Sequence, residues 1–322
     1  MKAVNRNIFS IAFSISLIFG VTYALAQSSP DSAQISIMVS QQSDAHNEAL
    51  TGFLQAIEKY RKIETITYNL NGKMEIAVEA VKWIRRAKPD LVLAVGTTAA
   101  LAAKDGLKDI PIVLCMVLNP VSSGLVANMK SPGGNITGAS LDIPLQTQFK
   151  YIKMLVPDLK SIGVLYNPEE TGELVKEAEK TAVAMKISLI AKAISSEREV
   201  PDALKNVLNN VDVLWSVADG TVFGLQSTQY ILLTTLKTGV PFIGLSSAFV
   251  KAGALMALSC DYTDIGIQAA ETAKRILDGE NPKDIPIAVP RKVLLCINLR
   301  IAKHIGLNIP TSIIELADEV IR

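Results

Sequence analysis

Reactive side chains are scarce in this chain of 322 residues: it has two histidines, His46 and His304, and three cysteines, Cys115, Cys260 and Cys296. Three is an odd number, the spacings are wide and no C-x-x-C occurs. Neither a disulfide framework nor a zinc site has support, although a single disulfide remains compatible with the sequence. Cys115 and Cys296 lie in Ile112-Val113-Leu114-Cys115-Met116-Val117 and Val293-Leu294-Leu295-Cys296-Ile297, apolar runs that read as buried strands, where cysteine acts as a small core residue. Glycine-rich phosphate loops are missing too. Pro132-Gly133-Gly134-Asn135 reads as a turn, with neither G-x-G-x-x-G nor the Lys-Ser/Thr of a P-loop. A Ser-His-Asp system would have to recruit His46, just after the first candidate strand, or His304, where a partly exposed helical histidine is the commoner explanation. The nearest approach to a nucleophile elbow, Gly244-Leu245-Ser246-Ser247-Ala248, lacks the final glycine of G-x-S-x-G. No catalytic motif and no cofactor motif emerges. An excess of one charge is also missing, with 32 basic against 31 acidic side chains. Such a balance gives no broad field to attract nucleic acid or an anionic membrane, and neither partner is expected.

What is present is an ordinary globular composition, 49% hydrophobic and 20% charged, in a length that suggests two domains. Residues 1–26 read apart from the rest. Lys2 and Arg6 precede an apolar stretch, Ile8 to Leu25, interrupted by Ser10, Ser14, Ser16 and Thr22, and Ala24-Leu25-Ala26 precedes Gln27. This is the pattern of a secretory signal peptide cleaved after Ala26, in preference to an uncleaved anchor, and it predicts a periplasmic protein. Its removal takes Lys2 and Arg6 away and turns a net charge of +1 into a small negative one. No other segment is a continuous apolar run long enough to span a bilayer.

From Ile35 onward, short β-rich runs alternate with longer amphipathic stretches. Strands are predicted at Ile35–Val39, Ile63–Tyr68, Leu91–Val95, Ile112–Val117, Ile136–Ser140, Ser161–Tyr166, Ser188–Ala193, Val211–Val217, Pro241–Ile243, Ala254–Ser259 and Lys292–Ile297. Between them, stretches such as Asn47–Lys59, Glu75–Arg86, Glu173–Met185 and Ile265–Leu277 carry apolar residues at three- and four-residue spacing, which is helical. Regular alternation predicts an α/β fold with parallel sheets covered on both faces. So many strands, with a change of style near Ser140 to Pro144, favour two doubly wound lobes over the rival TIM barrel.

Ligands of open parallel sheets sit beyond the carboxyl ends of the strands, so function is read from the residues that follow them. Thr97 and Thr98 follow the third strand and open a helix, where amides and hydroxyls suit a carboxylate, or where a threonine is only a cap. Ser43 follows the first strand, Asn119 the fourth, and Tyr166 with Asn167 the sixth. Thr137, Ser140 and Ser246 add hydroxyls at strand ends. Asp219 follows the eighth strand and suits either a ligand ammonium or an N-cap. The chemistry on offer is hydrogen bonding with few charges.

Several runs, in order, carry a family resemblance: Asn119-Pro120-Val121, Gly133-Gly134-Asn135-Ile136-Thr137-Gly138-Ala139-Ser140, Ile162-Gly163-Val164-Leu165-Tyr166-Asn167-Pro168-Glu169, Ala218-Asp219-Gly220-Thr221, Asp261-Tyr262-Thr263-Asp264-Ile265-Gly266 and Ile276-Leu277-Asp278-Gly279-Glu280. From about Ile35 to the C-terminus the chain resembles ABC transporter substrate-binding proteins related to tryptophan- and tyrosine-binding periplasmic proteins. The resemblance implies the type I periplasmic binding protein fold, with lobes joined by crossover strands. It assigns residues 34–141 plus about 260–291 to an N-terminal lobe, and 142–259 plus about 292–322 to a C-terminal lobe. It also implies a monomer that delivers a small solute to a permease of the inner membrane. The implied cleft residues are Thr97, Thr98, Thr137, Ser140, Tyr166, Asn167 and Asp219, the hydroxyls holding a ligand carboxylate and Asp219 its amino group. The chain departs from its relatives at Ser43-Asp44 and Asn47, where they have His-Pro and an aspartate, and at Asn119-Pro120, where they have Asp-Pro. An amino acid, aromatic ones included, is the leading ligand; a secreted sensor or an α/β enzyme is the alternative.

Overall fold

The computed structural model describes residues 32–322; the segment predicted to be a signal peptide, residues 1–26, lies outside them. The first sheet contains β1 (Ser32–Val39), β2 (Lys62–Asn69), β3 (Leu91–Val95), β4 (Ile112–Val117) and β5 (Ile136–Ser140), all parallel, in the order β2-β1-β3-β4-β5. The alternation of side chains along β1 explains its two covers. Ile35, Ile37 and Val39 pack with α1 (Asp44–Ile57) and α9 (Tyr262–Leu277), while Met38 belongs to the opposite core with α2 (Met74–Ala87) and α3 (Thr97–Gly106).

The second sheet contains β6 (Ser161–Tyr166), β7 (Ser188–Ala193), β8 (Val213–Trp215), β9 (Phe242–Gly244), β10 (Met256–Cys260), β11 (Val293–Asn298) and β12 (Glu319–Ile321), in the order β12-β11-β10-β9-β8-β6-β7. On one face lie α4 (Leu145–Leu155), α5 (Pro168–Ala184), α10 (Leu299–His304) and α11 (Thr311–Leu316). On the other lie α6 (Val200–Leu208) and α7 (Leu225–Thr238), with the short α8 (Ser247–Ala252) beside β9 and β10.

The chain passes between the two units three times, after β5, after β10 and before β11. This explains the one departure from an all-parallel arrangement, because β10 and β11 are antiparallel. β10 leaves its sheet at its C-terminal end to enter α9, and the chain returns from the first unit at that same end, so β11 must run back. Before it returns to β11 the chain packs against β5 of the first unit: Thr137 donates its hydroxyl to the Ile285 carbonyl, and Ala139 forms a parallel bridge with Ala288. All three cysteines are free and buried, Cys115 in β4, Cys260 at the end of β10 and Cys296 in β11. Among the described residues, no helix is long and apolar enough to cross a membrane.

Helices α1 and α9 touch through glycine. A Cβ on Gly266 would collide with the Ala49 carbonyl, and one on Gly52 with the Thr263 carbonyl. Both neighbours are backbone, which cannot swing aside. Overpacking of this kind costs about 2 kcal/mol, so Gly266→Ala should melt several degrees below wild type in a calorimetric scan. An unchanged melting temperature would show that the helices can separate at no cost.

Candidate functional site

The carboxyl ends of β4, β8, β9 and β10 and the first passage between the units enclose a cavity of about 280 Å³. Leu118 and Asn119 come from the first unit, and Leu141, Asp142 and Ile143 from the passage. Gln148, Leu174, Trp215 to Ala218, Gly244 and Leu245 come from the second unit, and Tyr262 opens α9. Its walls are mostly apolar, with a few polar groups, which is the make-up of a small-molecule site, and its size lies at the small end of ligand pockets.

The walls are held by hydrogen bonds among themselves. The Trp215 indole stands edge-on to Phe149, with ring centroids 5.3 Å apart, and donates Nε1–H to Gln148 Oε1 at 3.0 Å. Gln148 in turn donates to the Ile143 carbonyl at 2.8 Å, and Ser216 donates its hydroxyl to the Ile243 carbonyl at 2.7 Å. Asn119 sits at φ 49, a left-handed conformation that asparagine tolerates better than most residues. Its N–H donates to Asp142 Oδ1 at 2.9 Å, while the Asp142 N–H donates to Ser140 Oγ at 3.2 Å. Burial pushes the Asp142 carboxyl up to about 6, against the Asn119 and Ser140 hydrogen bonds, and nearby Glu177 adds repulsion. The same cause pushes the Cys260 thiol up to about 12, and its Sγ lies 3.5 Å from the Leu141 carbonyl as a donor. The Tyr262 phenol is raised by burial as well.

The strand-end residues singled out from the sequence fall into three groups. Asn119 lines the cavity. Thr97 and Thr98 begin α3, Tyr166 ends β6 and Ser246 precedes α8; all four are half-buried, and none of their hydroxyls has a protein partner among the described residues. The remaining five have their polar groups engaged in holding the fold. Thr137 and Ser140 are fully buried and bonded as above. Ser43 caps α1 and meets His46 Nδ1 at 2.7 Å, and burial lowers the His46 pKa. Asn167 caps α5 and donates to Thr221 Oγ1 at 2.9 Å. Asp219 is 2% exposed, outside the cavity lining. Its carboxylate accepts from the Asn167 N–H at 2.6 Å, the Thr171 hydroxyl at 2.7 Å and the Val222 N–H at 3.0 Å. It joins the loop after β8 to the start of α5.

Sequence reasoning passed over Asp142, Gln148, Trp215 and Tyr262. A usable signal existed for Asp142, an acidic residue between Leu141 and Ile143 where the chain changes style; the other three carry none until the fold brings them together.

Two α/β lobes with strand ends facing a shared cavity, linked by repeated passages of the chain, define the class of type I periplasmic binding proteins. Within that class, residues 34–321 match the ABC transporter substrate binding protein family, and the chain belongs to that family. It is 29% identical over 259 residues to a tyrosine-binding protein of Clostridioides difficile, covering 78% of this chain and 74% of that one. Among solved structures, a ligand-free, open substrate binding protein with adhesive properties from Clostridium difficile is 27% identical, with a TM-score of 0.75 over 90% of this chain and 99% of that one. An ABC domain from Streptococcus pneumonia in complex with L-Trp is 25% identical, with a TM-score of 0.66 over 90% of this chain and 100% of that one. Substrate-binding proteins of ABC transporters bind small molecules and deliver them to membrane permeases, and the family and these structural neighbours are binders of solutes, not enzymes.

Proposed function

We propose that this protein is the periplasmic receptor of an ABC importer, exported by a signal peptide cleaved after Ala26, monomeric, and handing its solute to a permease in the inner membrane. The solute is a small molecule, with an amino acid as leading candidate. Aromatic side chains are favoured by the tyrosine- and L-Trp-binding relatives and by Trp215 and Tyr262 in the cavity. The observation that carries the reading is the position of the cavity: Asn119 and Trp215 come from different sheets, and Asp142 from the chain between them, so one small occupant touches everything that must move together. Residues 34–141 with about 260–291, and 142–259 with about 292–322, act as the two lobes and close by a hinge at the three passages. On closure the free hydroxyls of Thr97, Thr98, Tyr166 and Ser246 join Asn119 around the solute.

The test is release of small molecules from the denatured protein, identified by mass spectrometry, followed by scattering and calorimetry with the identified compound. A smaller radius of gyration is expected at saturation. At about 100 times its dissociation constant the compound should add about 2.7 kcal/mol of stability and be recovered unchanged. Conversion of the compound above the buffer control would overturn the reading.

A further inference from the structure

We propose that Asp142 is the anchor for a protonated amine on the solute, so that binding depends on the amine and not on a carboxylate; the inference deepens the solute-receptor reading and rests on it. The charges around the cavity have one sign. Asp142 is the one carboxylate in the lining, which includes no lysine, arginine or histidine. Its Oδ1 accepts the Asn119 N–H and the Ser140 side chain is its other hydrogen-bond partner among the described residues, both of them neutral, and the half-buried residue lines the cavity. No ion pair among the described residues involves it.

The titratable neighbours give it no relief. Glu177 on α5 repels it, and the Cys260 thiol and Tyr262 phenol are uncharged at neutral pH because burial raises both. A half-buried carboxylate without a cation is costly, and a cation supplied from outside offsets that cost. An ammonium on this carboxylate would lie in the wall that also holds Trp215 and Tyr262, a setting for an amine attached to a flat apolar body. A solute carboxylate would be left to neutral donors. Asp219, the acid that the strand-end argument favoured, already accepts three hydrogen bonds away from this cavity.

The location gives the amine leverage over closure. Asp142 sits on the passage from β5 to α4 and is bonded to the loop after β4, so an ion pair there holds both the hinge and the first lobe. It also makes uptake sensitive to acid. Since only the ionised carboxylate pairs with an ammonium, affinity falls as pH drops through about 6, and at pH 5 it should be about tenfold weaker than at pH 7.5.

Four probes test this by calorimetric titration of the full mature protein, wild type and Asp142→Asn: L-tyrosine, L-tryptophan, tryptamine, which lacks the carboxylate, and indole-3-propionate, which lacks the amine. The expected result is that wild type binds amine-bearing probes at least about 30-fold more tightly than indole-3-propionate, and that Asp142→Asn loses at least about 30-fold of that affinity. The variant should keep its fold, checked by circular dichroism. Equal affinity for tryptamine and indole-3-propionate, or amine affinity kept within threefold in Asp142→Asn, would overturn the proposal. Release from the denatured protein of a solute with no basic nitrogen would also overturn it while leaving the receptor reading intact. Failure of all four probes, with no molecule released, would overturn both.

Discussion

Asp219→Ala should lower the melting temperature by roughly 10 °C. The buried carboxylate of Asp219 takes three donors, two backbone N–H groups and the Thr171 hydroxyl, from both sides of the junction between the loop after β8 and α5. Hydrogen bonds to a charged group contribute about 1.5 kcal/mol or more each, and alanine leaves all three donors without a partner. A total of about 4 kcal/mol corresponds to that shift in a lobe of about 150 residues. Capping preference alone would make Asp219→Asn harmless, since asparagine and aspartate cap equally well. The structure gives a different expectation. The amide oxygen can keep the Val222 N–H, but its NH2 then faces the Asn167 N–H, a fixed donor, and the Thr171 hydroxyl, which must turn round to accept. Asp219→Asn should therefore lose a substantial part of the stability lost by alanine, while its folded fraction binds the solute within threefold of wild type. A large loss of affinity at full stability would return Asp219 to the binding site.

The empty protein should become more stable when Asp142 is replaced by asparagine, and the gain should depend on pH. Asp142 has an ordinary value of 3.8, which applies to the unfolded chain, and about 6 in the folded one. The folded state thus holds this proton more tightly. The stability this provides is fully present below about pH 4, declines as pH rises towards 6 and is gone above it. At neutral pH the ionised carboxylate costs on the order of 2 kcal/mol relative to a neutral group. Asparagine is neutral at every pH and can still accept from the Asn119 N–H. Calorimetric scans of the ligand-free proteins should show Asp142→Asn melting several degrees higher at pH 7.5, with the gap closing towards pH 4. A constant gap across that range would remove the carboxylate's charge as the cause.

The two aspartates mark where sequence reading reaches its limit. Strands such as Leu91–Val95, Ile112–Val117 and Ser161–Tyr166 are legible to the residue, because continuous apolar or β-branched runs between polar turns fit a strand buried on both faces. The ends of Val211–Val217 were not: only Val213–Trp215 pairs, and Trp215 to Ala218 line the cavity instead. Helices α8, α10 and α11 have six residues each, too few to display a period, and β12 has three. The direction of β11 follows from where the chain re-enters the sheet, a property of the path and not of Val293–Asn298. For the site, the strand-end rule points to the side of the sheets where the cavity lies and includes Asn119, which lines it. It could not separate side chains open to a ligand from those, such as Thr137 and Asp219, that are engaged by partners more than forty positions away in sequence, beside Asp219's local bond to Val222. Asp142 lies just beyond the end of β5, within reach of the same rule, and is passed over because the hydroxyls of Thr137 and Ser140 stand as the polar groups of that strand end.

The repeated passage of the chain also sets an order of assembly. Helix α9, which covers α1 and packs on β4 and β5, is encoded after almost the whole of the second lobe. Until it is made, Phe53, Val113 and Cys115 have no lid on that face, and Thr137 has no Ile285 carbonyl to bond. The lobe that emerges first from the ribosome is therefore among the last parts to be finished, and contacts so distant in sequence close slowly. For a chain exported as proposed above, that late closure leaves an interval in which the polypeptide can still be threaded through a membrane before it locks into shape.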